Sequence, residues 1–208
     1  MDCQFCAEFA GASERIILDV DGWVLLPTVG CFTPGYCLFM PLRHIDAAAE
    51  LSPARLMALQ PLLERMRGLI ERRFGPTIIA EHGSRNCELG AGCCTHCHLH
   101  LIPVPDVDAI TVAYEMTGGA GRVLAGLADL AEATLGPYLY LSPRPGRHLL
   151  WDADGRFARQ YVRRVCAESH AVGGRFDWRD HPFTEHQQTT FAALRTVPAL
   201  ALPAAGSW

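Results

Sequence analysis

The stretch His96-Cys97-His98-Leu99-His100-Leu101-Ile102 restricts the possible folds of this chain more than any other segment. Alternate residues of a strand share a face. The period of two therefore predicts a strand over His96–Pro103 with three imidazoles along one side and Cys97, Leu99 and Leu101 along the other. A single histidine on such a strand is most often a satisfied structural residue. Three in strict alternation mark a functional site, because an apolar sheet face has no use for a row of ionisable rings.

The segments around this strand read as an α+β chain. Ile16–Leu18 and Trp23–Leu26 are short strands, with Asp21-Gly22 between them as a hairpin turn, and Tyr36–Met40 is a third. Ser52 as N-cap and Pro53 at the first helical position open a long helix. Leu56, Leu59, Leu63, Met66 and Ile70 recur along it at helical spacing, Pro61 should kink it, and Gly75-Pro76 ends it. Thr77–Glu81 reads as a strand and is followed by a Gly- and Cys-rich loop. Beyond the histidines, Ile110–Glu115 is expected as a strand, Arg122–Leu135 as a helix, and Tyr138–Leu141 and Leu149–Trp151 as strands. Two more helices are expected, one near 155–169 and one from Thr184, where Thr184 and Gln187 suit a capping box.

Composition narrows the function. A net charge of −4 argues against general nucleic-acid binding, which selects basic surfaces. No charged, then apolar, leader opens the chain, and its apolar runs are too short for a membrane span, so a cytoplasmic location is expected. Nine cysteines in that compartment suit metal binding or reactive thiols better than a disulfide framework. Cys3-Gln4-Phe5-Cys6 has a spacing that lets two thiolates share one zinc; a redox pair and plain free thiols are its rivals.

The His-φ-His-φ-His-φ-φ pattern resembles the signature of the histidine-triad (HIT) superfamily. Met40-Pro41-Leu42-Arg43-His44 is similar to the segment that precedes that family's long helix. Glu81-His82-Gly83 and Gly90-Ala91-Gly92-Cys93 look most like a diadenosine-polyphosphate-hydrolase-like branch. The resemblance covers roughly residues 1–105. It implies a HIT-like antiparallel sheet with a long helix packed on it, forming a catalytic core over 1–105, and residues 106–208 then form a small C-terminal helical extension. It further implies a nucleotide hydrolase or nucleotidyltransferase acting at an α-phosphate. His98 would be the nucleophile, and His100 would hydrogen-bond the phosphate or the leaving oxygen. A homodimer and a nucleotide or nucleotide-conjugate partner are also implied.

The same resemblance completes the C-x-x-C with His44 and His96, giving a closed Cys3, Cys6, His44, His96 zinc site that is structural. It also exposes departures from the family pattern. Where many members place an asparagine, a glutamine and a serine around the phosphate, this chain has Glu81, Gly92 and Cys93. A carboxylate beside phosphate is repulsive unless protonated or paired. Glu81 is therefore expected either to pair with Arg43 or Arg85 as scaffold or to bind a cationic part of the substrate. Ser84 and the Gly90–Gly92 amides are expected to cradle phosphate oxygens.

In the C-terminal half, Arg163, Arg164 and Arg179 read either as a solvated face or as phosphate ligands through their planar forks. Trp178 reads as core packing or as a base-stacking surface. Two other functions stay open: a metalloenzyme holding a catalytic metal with His96, His98 and His100, and a non-catalytic nucleotide-binding module.

Overall fold

Asp21 and Gly22 both adopt positive φ, 52° and 78°, as a two-residue hairpin between right-twisted strands requires. They join β1 (Leu18–Val20) to β2 (Trp23–Pro27), with Val20 opposite Trp23. The computed structural model describes residues 3–11, 13–83, 96–133, 136–153 and 155–196. A short helix, α1 (Gln4–Ala10), precedes the hairpin, and β3 (Cys37–Pro41) follows it.

The long helix α2 spans Pro53–Phe74. Ser52 Oγ accepts the Arg55 N–H at its start, Gly75 at φ 96° ends it, and the helix continues through Pro61. Its apolar stripe (Leu56, Leu59, Leu63, Met66 and Ile70) is buried, as the spacing predicts. Next come β4 (Thr77–Gly83), β5 (Leu99–Pro103), α3 (Val107–Gly118), β6 (Arg122–Leu124), α4 (Leu130–Ala133), β7 (Tyr138–Ser142), β8 (His148–Asp152), α5 (Tyr161–Ser169) and α6 (Thr184–Arg195).

The eight strands of the described residues join one antiparallel sheet in the order β1-β2-β3-β5-β4-β7-β8-β6. Both faces of the sheet are covered. Trp23, Leu25, Phe39, Ile79, Leu99 and Leu101 pack toward α2, while Val24, Leu38, Met40, Ile78, Ala80 and Ile102 pack toward α3 and α5. Antiparallel sheets commonly leave one face to solvent and show an apolar–polar alternation in sequence. Here β2, β3, β4, β5 and β7 are buried along their whole length, so the alternation is muted.

The structure corrects several expectations. Ile110–Glu115 lies within α3. Asp106 caps that helix by accepting the Asp108 and Ala109 N–H groups, and Val107, Ile110, Thr111 and Tyr114 form its buried stripe. The β-branched run there suggested a strand, but tertiary packing overrides that weak preference. Arg122–Leu135 is not one helix either: Arg122–Leu124 is an edge strand on β8, and a 3₁₀ turn (Leu127–Asp129) leading into the short helix α4 follows within the described residues. The capping box expected at Thr184 is also absent. Phe183 occupies the N-cap without a side-chain bond, and the Gln187 amide donates to Thr28 O. The region after residue 105 is more than a helical extension, because it adds three strands to the sheet, with β7 paired along β4. Among the described residues no helix is long and apolar enough to cross a membrane.

Candidate active site and metal centre

Cys3 is the N-cap of α1, and its Sγ accepts the backbone N–H of Cys6 one turn later. The first turn of a helix thus brings the two sulfurs of the C-x-x-C together. His96 Nδ1 lies 3.4 Å from Cys3 Sγ and 3.6 Å from Cys6 Sγ, and His44 Nδ1 lies 3.3 Å from Cys6 Sγ. The four ligand atoms all sit within 4.8 Å of one another. A tetrahedral zinc with ordinary Zn–S and Zn–N lengths places neighbouring sulfur and nitrogen ligands about 3.5 Å apart. Three sulfur–nitrogen separations thus match a tetrahedral zinc site, and the four residues could hold a metal ion.

The outer hydrogen bonds agree with this. His96 Nε2 donates to Pro41 O at 2.8 Å, and His44 Nε2 lies 3.0 Å from Asp46 Oδ1. In each ring the bonded nitrogen carries the proton, which turns the Nδ1 lone pair toward the cluster.

Two residues on, His98 Nδ1 donates to the carbonyl oxygen of His96 at 2.7 Å. A carbonyl only accepts, so the neutral ring carries its lone pair on Nε2. His98, His100, Phe5, Arg163, Trp178 and Arg179 line an open cleft with about 580 Å³ of empty space. The His98 ring centroid is 4.7 Å from that of His100 and 5.8 Å from that of Phe5, one of the two residues between the cysteines.

The regular ladder begins at Leu99, so the strand expected over His96–Pro103 is shorter than its alternation suggested. Before it, Cys97 N–H bonds to Ile45 O in the β3–α2 connection, and the His96 ring belongs to the Cys/His cluster. The three rings thus divide between two tasks. His96 belongs to the cluster, whereas His98 and His100 belong to the cleft.

Glu81 is not in the cleft. Along β4 it shares the face of Ile79, toward α2, while His82 shares the face of Ala80, toward the histidines. Its carboxylate accepts the Ala48 N–H at 2.8 Å and the Tyr138 hydroxyl at 2.7 Å, and Cys97 Sγ lies 3.4 Å away. The substrate contact expected of Glu81 is thus corrected by strand parity. Its scaffold role is played with a tyrosine and a backbone amide rather than an arginine. Gly83 fits this arrangement because a Cβ there would overlap the Tyr138 ring.

Burial pushes the Glu81 carboxyl above its ordinary range, offset in part by the Tyr138 and Ala48 hydrogen bonds. A carboxyl whose folded pKa is raised stabilises the fold while protonated, and that stabilisation is lost as pH climbs through the raised value. Glu81→Gln should therefore flatten the fall in melting temperature from about pH 4 upward. It should also leave any nucleotide turnover within about threefold, because the side chain does not reach the cleft. A melting series across pH, with matched activity assays, checks both.

His82 went unassigned in the sequence. It is buried, its Nε2 accepts the Val162 N–H at 3.1 Å, and its ring lies 5.3 Å from that of His100. Burial, with His98 and Arg163 adding to it, pushes its pKa down to about 3. Arg163 and Arg179 line the cleft, with Trp178 half-buried beside them. Arg164 instead lies over the Phe176 ring. Ser84, Arg85, Cys87, Gly90, Gly92, Cys93 and Cys94 lie outside the described residues.

Among known proteins, the chain is 30% identical over 120 residues to an uncharacterized HIT-like protein found in two strains of Mycobacterium tuberculosis; the match covers 56% of this chain and 81% of the relative. It is 29% identical over 121 residues to galactose-1-phosphate uridylyltransferase of Rattus norvegicus; that match covers 53% of this chain and only 32% of the rat enzyme. No family model matches. Similar solved structures include a hypothetical histidine triad nucleotide-binding protein of Sulfolobus tokodaii, with a TM-score of 0.42 and 17% identity over 49% of this chain and 68% of that one. Another is a HIT family protein of Bacillus anthracis, with a TM-score of 0.43 and 22% identity over 49% and 72%.

Proposed function

Because the chain belongs to the HIT-like family of its mycobacterial relative, we propose that it is a nucleotide hydrolase or nucleotidyltransferase that works at an α-phosphate through a covalent nucleotidyl-His98 intermediate. The observation that carries this reading is the 2.7 Å bond from His98 Nδ1 to the His96 carbonyl, which leaves the lone pair of the uncharged ring on Nε2 in a residue that lines the cleft. In the first step Nε2 forms a bond to phosphorus, the bond from phosphorus to the leaving oxygen breaks, and that oxygen keeps the electron pair. The positive charge left on the ring is shared with Nδ1–H, which the carbonyl already holds. In the second step water or another acceptor attacks phosphorus, the P–N bond breaks, and the acceptor's proton passes to solvent.

His100 is the hydrogen-bond donor of this reading. Burial and the neighbouring His98, His82 and Arg163 push its pKa well down, so the ring is neutral and stabilises charge on a phosphate or leaving oxygen by donating a hydrogen bond. Phe5, Trp178 and Arg179 offer apolar faces and a cation to the rest of a nucleotide conjugate. The Cys3, Cys6, His44 and His96 cluster suits zinc in its thiolate–imidazole chemistry and spacing. Zinc held there would tie α1, with Phe5, to the backbone that positions His98.

The test is incubation with dinucleoside polyphosphates, nucleoside phosphoramidates and nucleotide-activated sugars, followed by intact-mass measurement. One acid-labile nucleotidyl adduct per chain is expected from at least one conjugate. An absence of both adduct and turnover across the panel would reject the reading.

A further inference from the structure

Beside the cleft, two consecutive residues of α5 each reach a different buried histidine. Val162 donates its backbone N–H to His82 Nε2. Arg163, only 3% exposed, donates through NH1 to the Tyr36 hydroxyl at 3.3 Å, and that hydroxyl lies 2.7 Å from His100 Nδ1. The rest of the Arg163 fork is fixed as well. Nε donates to Phe176 O at 2.8 Å and NH2 to Gly30 O at 2.5 Å, while the guanidinium carbon lies 5.3 Å from the Tyr36 ring centre and 5.5 Å from that of Phe32.

A guanidinium has donors and no acceptor. The Tyr36 oxygen therefore accepts from Arg163, and donation of its one proton to His100 Nδ1 then uses both the donor and an acceptor of the hydroxyl. A neutral imidazole that accepts at Nδ1 carries its proton on Nε2. His100 Nε2 is buried and has no hydrogen-bond partner among the described residues, and His100 lines the cleft. We infer that Arg163 and Tyr36 are positioning residues that hold His100 in its Nε2–H tautomer, so that the C-terminal half of the chain orients the donor beside the nucleophile. This rests on the proposed reading for its catalytic consequence but not for its structural content. Burial supports it by keeping the His100 ring neutral. It also gives the C-terminal half a task in the active site, since Arg163 belongs to the half after residue 105 and Tyr36 to the half before it.

The test has a readout that needs no substrate. In the full chain labelled with ¹⁵N-histidine, long-range ¹H–¹⁵N correlations distinguish a protonated ring nitrogen from an unprotonated one. The His100 signals are identified by their loss in His100→Gln. Wild type should show His100 with its proton on Nε2, and Tyr36→Phe, which keeps the ring but removes the hydroxyl, should move the proton toward Nδ1 or produce a mixture. Arg163→Lys, which keeps a cation but loses the fork, should shift the balance in the same direction and serves if Tyr36→Phe does not fold.

With a conjugate that wild type turns over, Tyr36→Phe should lower kcat by about ten- to a hundredfold while KM moves less than about threefold. An Nδ1–H His100 in wild type, or an unchanged Nε2–H ring in Tyr36→Phe, would overturn the inference. So would a loss shared equally between kcat and KM. If wild type turns over no conjugate at all, the proposed function fails, and the tautomer measurement still decides this point.

Discussion

His98→Ala should abolish the nucleotidyl adduct and lower turnover by a factor on the order of 10⁴ or more, leaving substrate affinity within about tenfold. Removing a covalent nucleophile eliminates the low-barrier route, whereas the cleft walls and the His100 donor remain to bind and polarise the substrate. The split follows from the geometry. The His98 ring bonds to the His96 carbonyl and has Phe5 and His100 as ring neighbours. Phe5, Arg163, Trp178 and Arg179 keep their places on α1, α5 and the segment before α6. Single-turnover mass measurement and equilibrium nucleotide binding, made on one preparation, separate the two effects. An adduct that persists in His98→Ala would place the nucleophile elsewhere. Adduct loss together with loss of all affinity would mean that the ring mainly shapes the pocket.

The histidine run was legible as a site, although only His100 of the three lies on the regular strand, and Cys3-x-x-Cys6 was legible because the first turn of a helix joins its ends. The α2 caps were equally plain, with Ser52 and Gly75 performing the roles that their residue types favour. What the sequence concealed was parity on a sheet buried on both faces. In β4 every residue from Thr77 to Gly83 is buried, so polarity does not say whether Glu81 or His82 faces the histidines. The register decides it, with Ala80 opposite His100 on β5. The Tyr36–His100 and Arg163–Tyr36 bonds join residues 64 and 127 positions apart, and no local pattern encodes them. A hint existed in Arg163 itself, which falls among the buried positions Tyr161, Val162, Val165 and Cys166 of α5, where a cation needs partners.

The His98 bond to the His96 carbonyl couples the two centres, and removal of the metal tests that coupling. Protein prepared without chelator should contain one zinc per chain. Stripping it, or replacing Cys6 with serine, should lower the melting temperature by about 10 °C. A site filled at about a thousand times its Kd contributes about 4 kcal/mol, and in a chain of this length 1 kcal/mol corresponds to roughly 2–4 °C. The loss should not stop at stability. Without the metal the four side chains lose the ion that joins them, the link between α1 and the sheet through Cys3, Cys6 and His96 weakens, and both Phe5 and the carbonyl that orients His98 gain freedom. Turnover should therefore fall with the metal, while His98→Ala should retain its full zinc content. A chain that holds no zinc, or one whose melting is unchanged by chelator and by Cys6→Ser, would reject a structural metal. Zinc lost in His98→Ala would instead make the histidine run itself the metal site, and the covalent route through His98 would no longer stand.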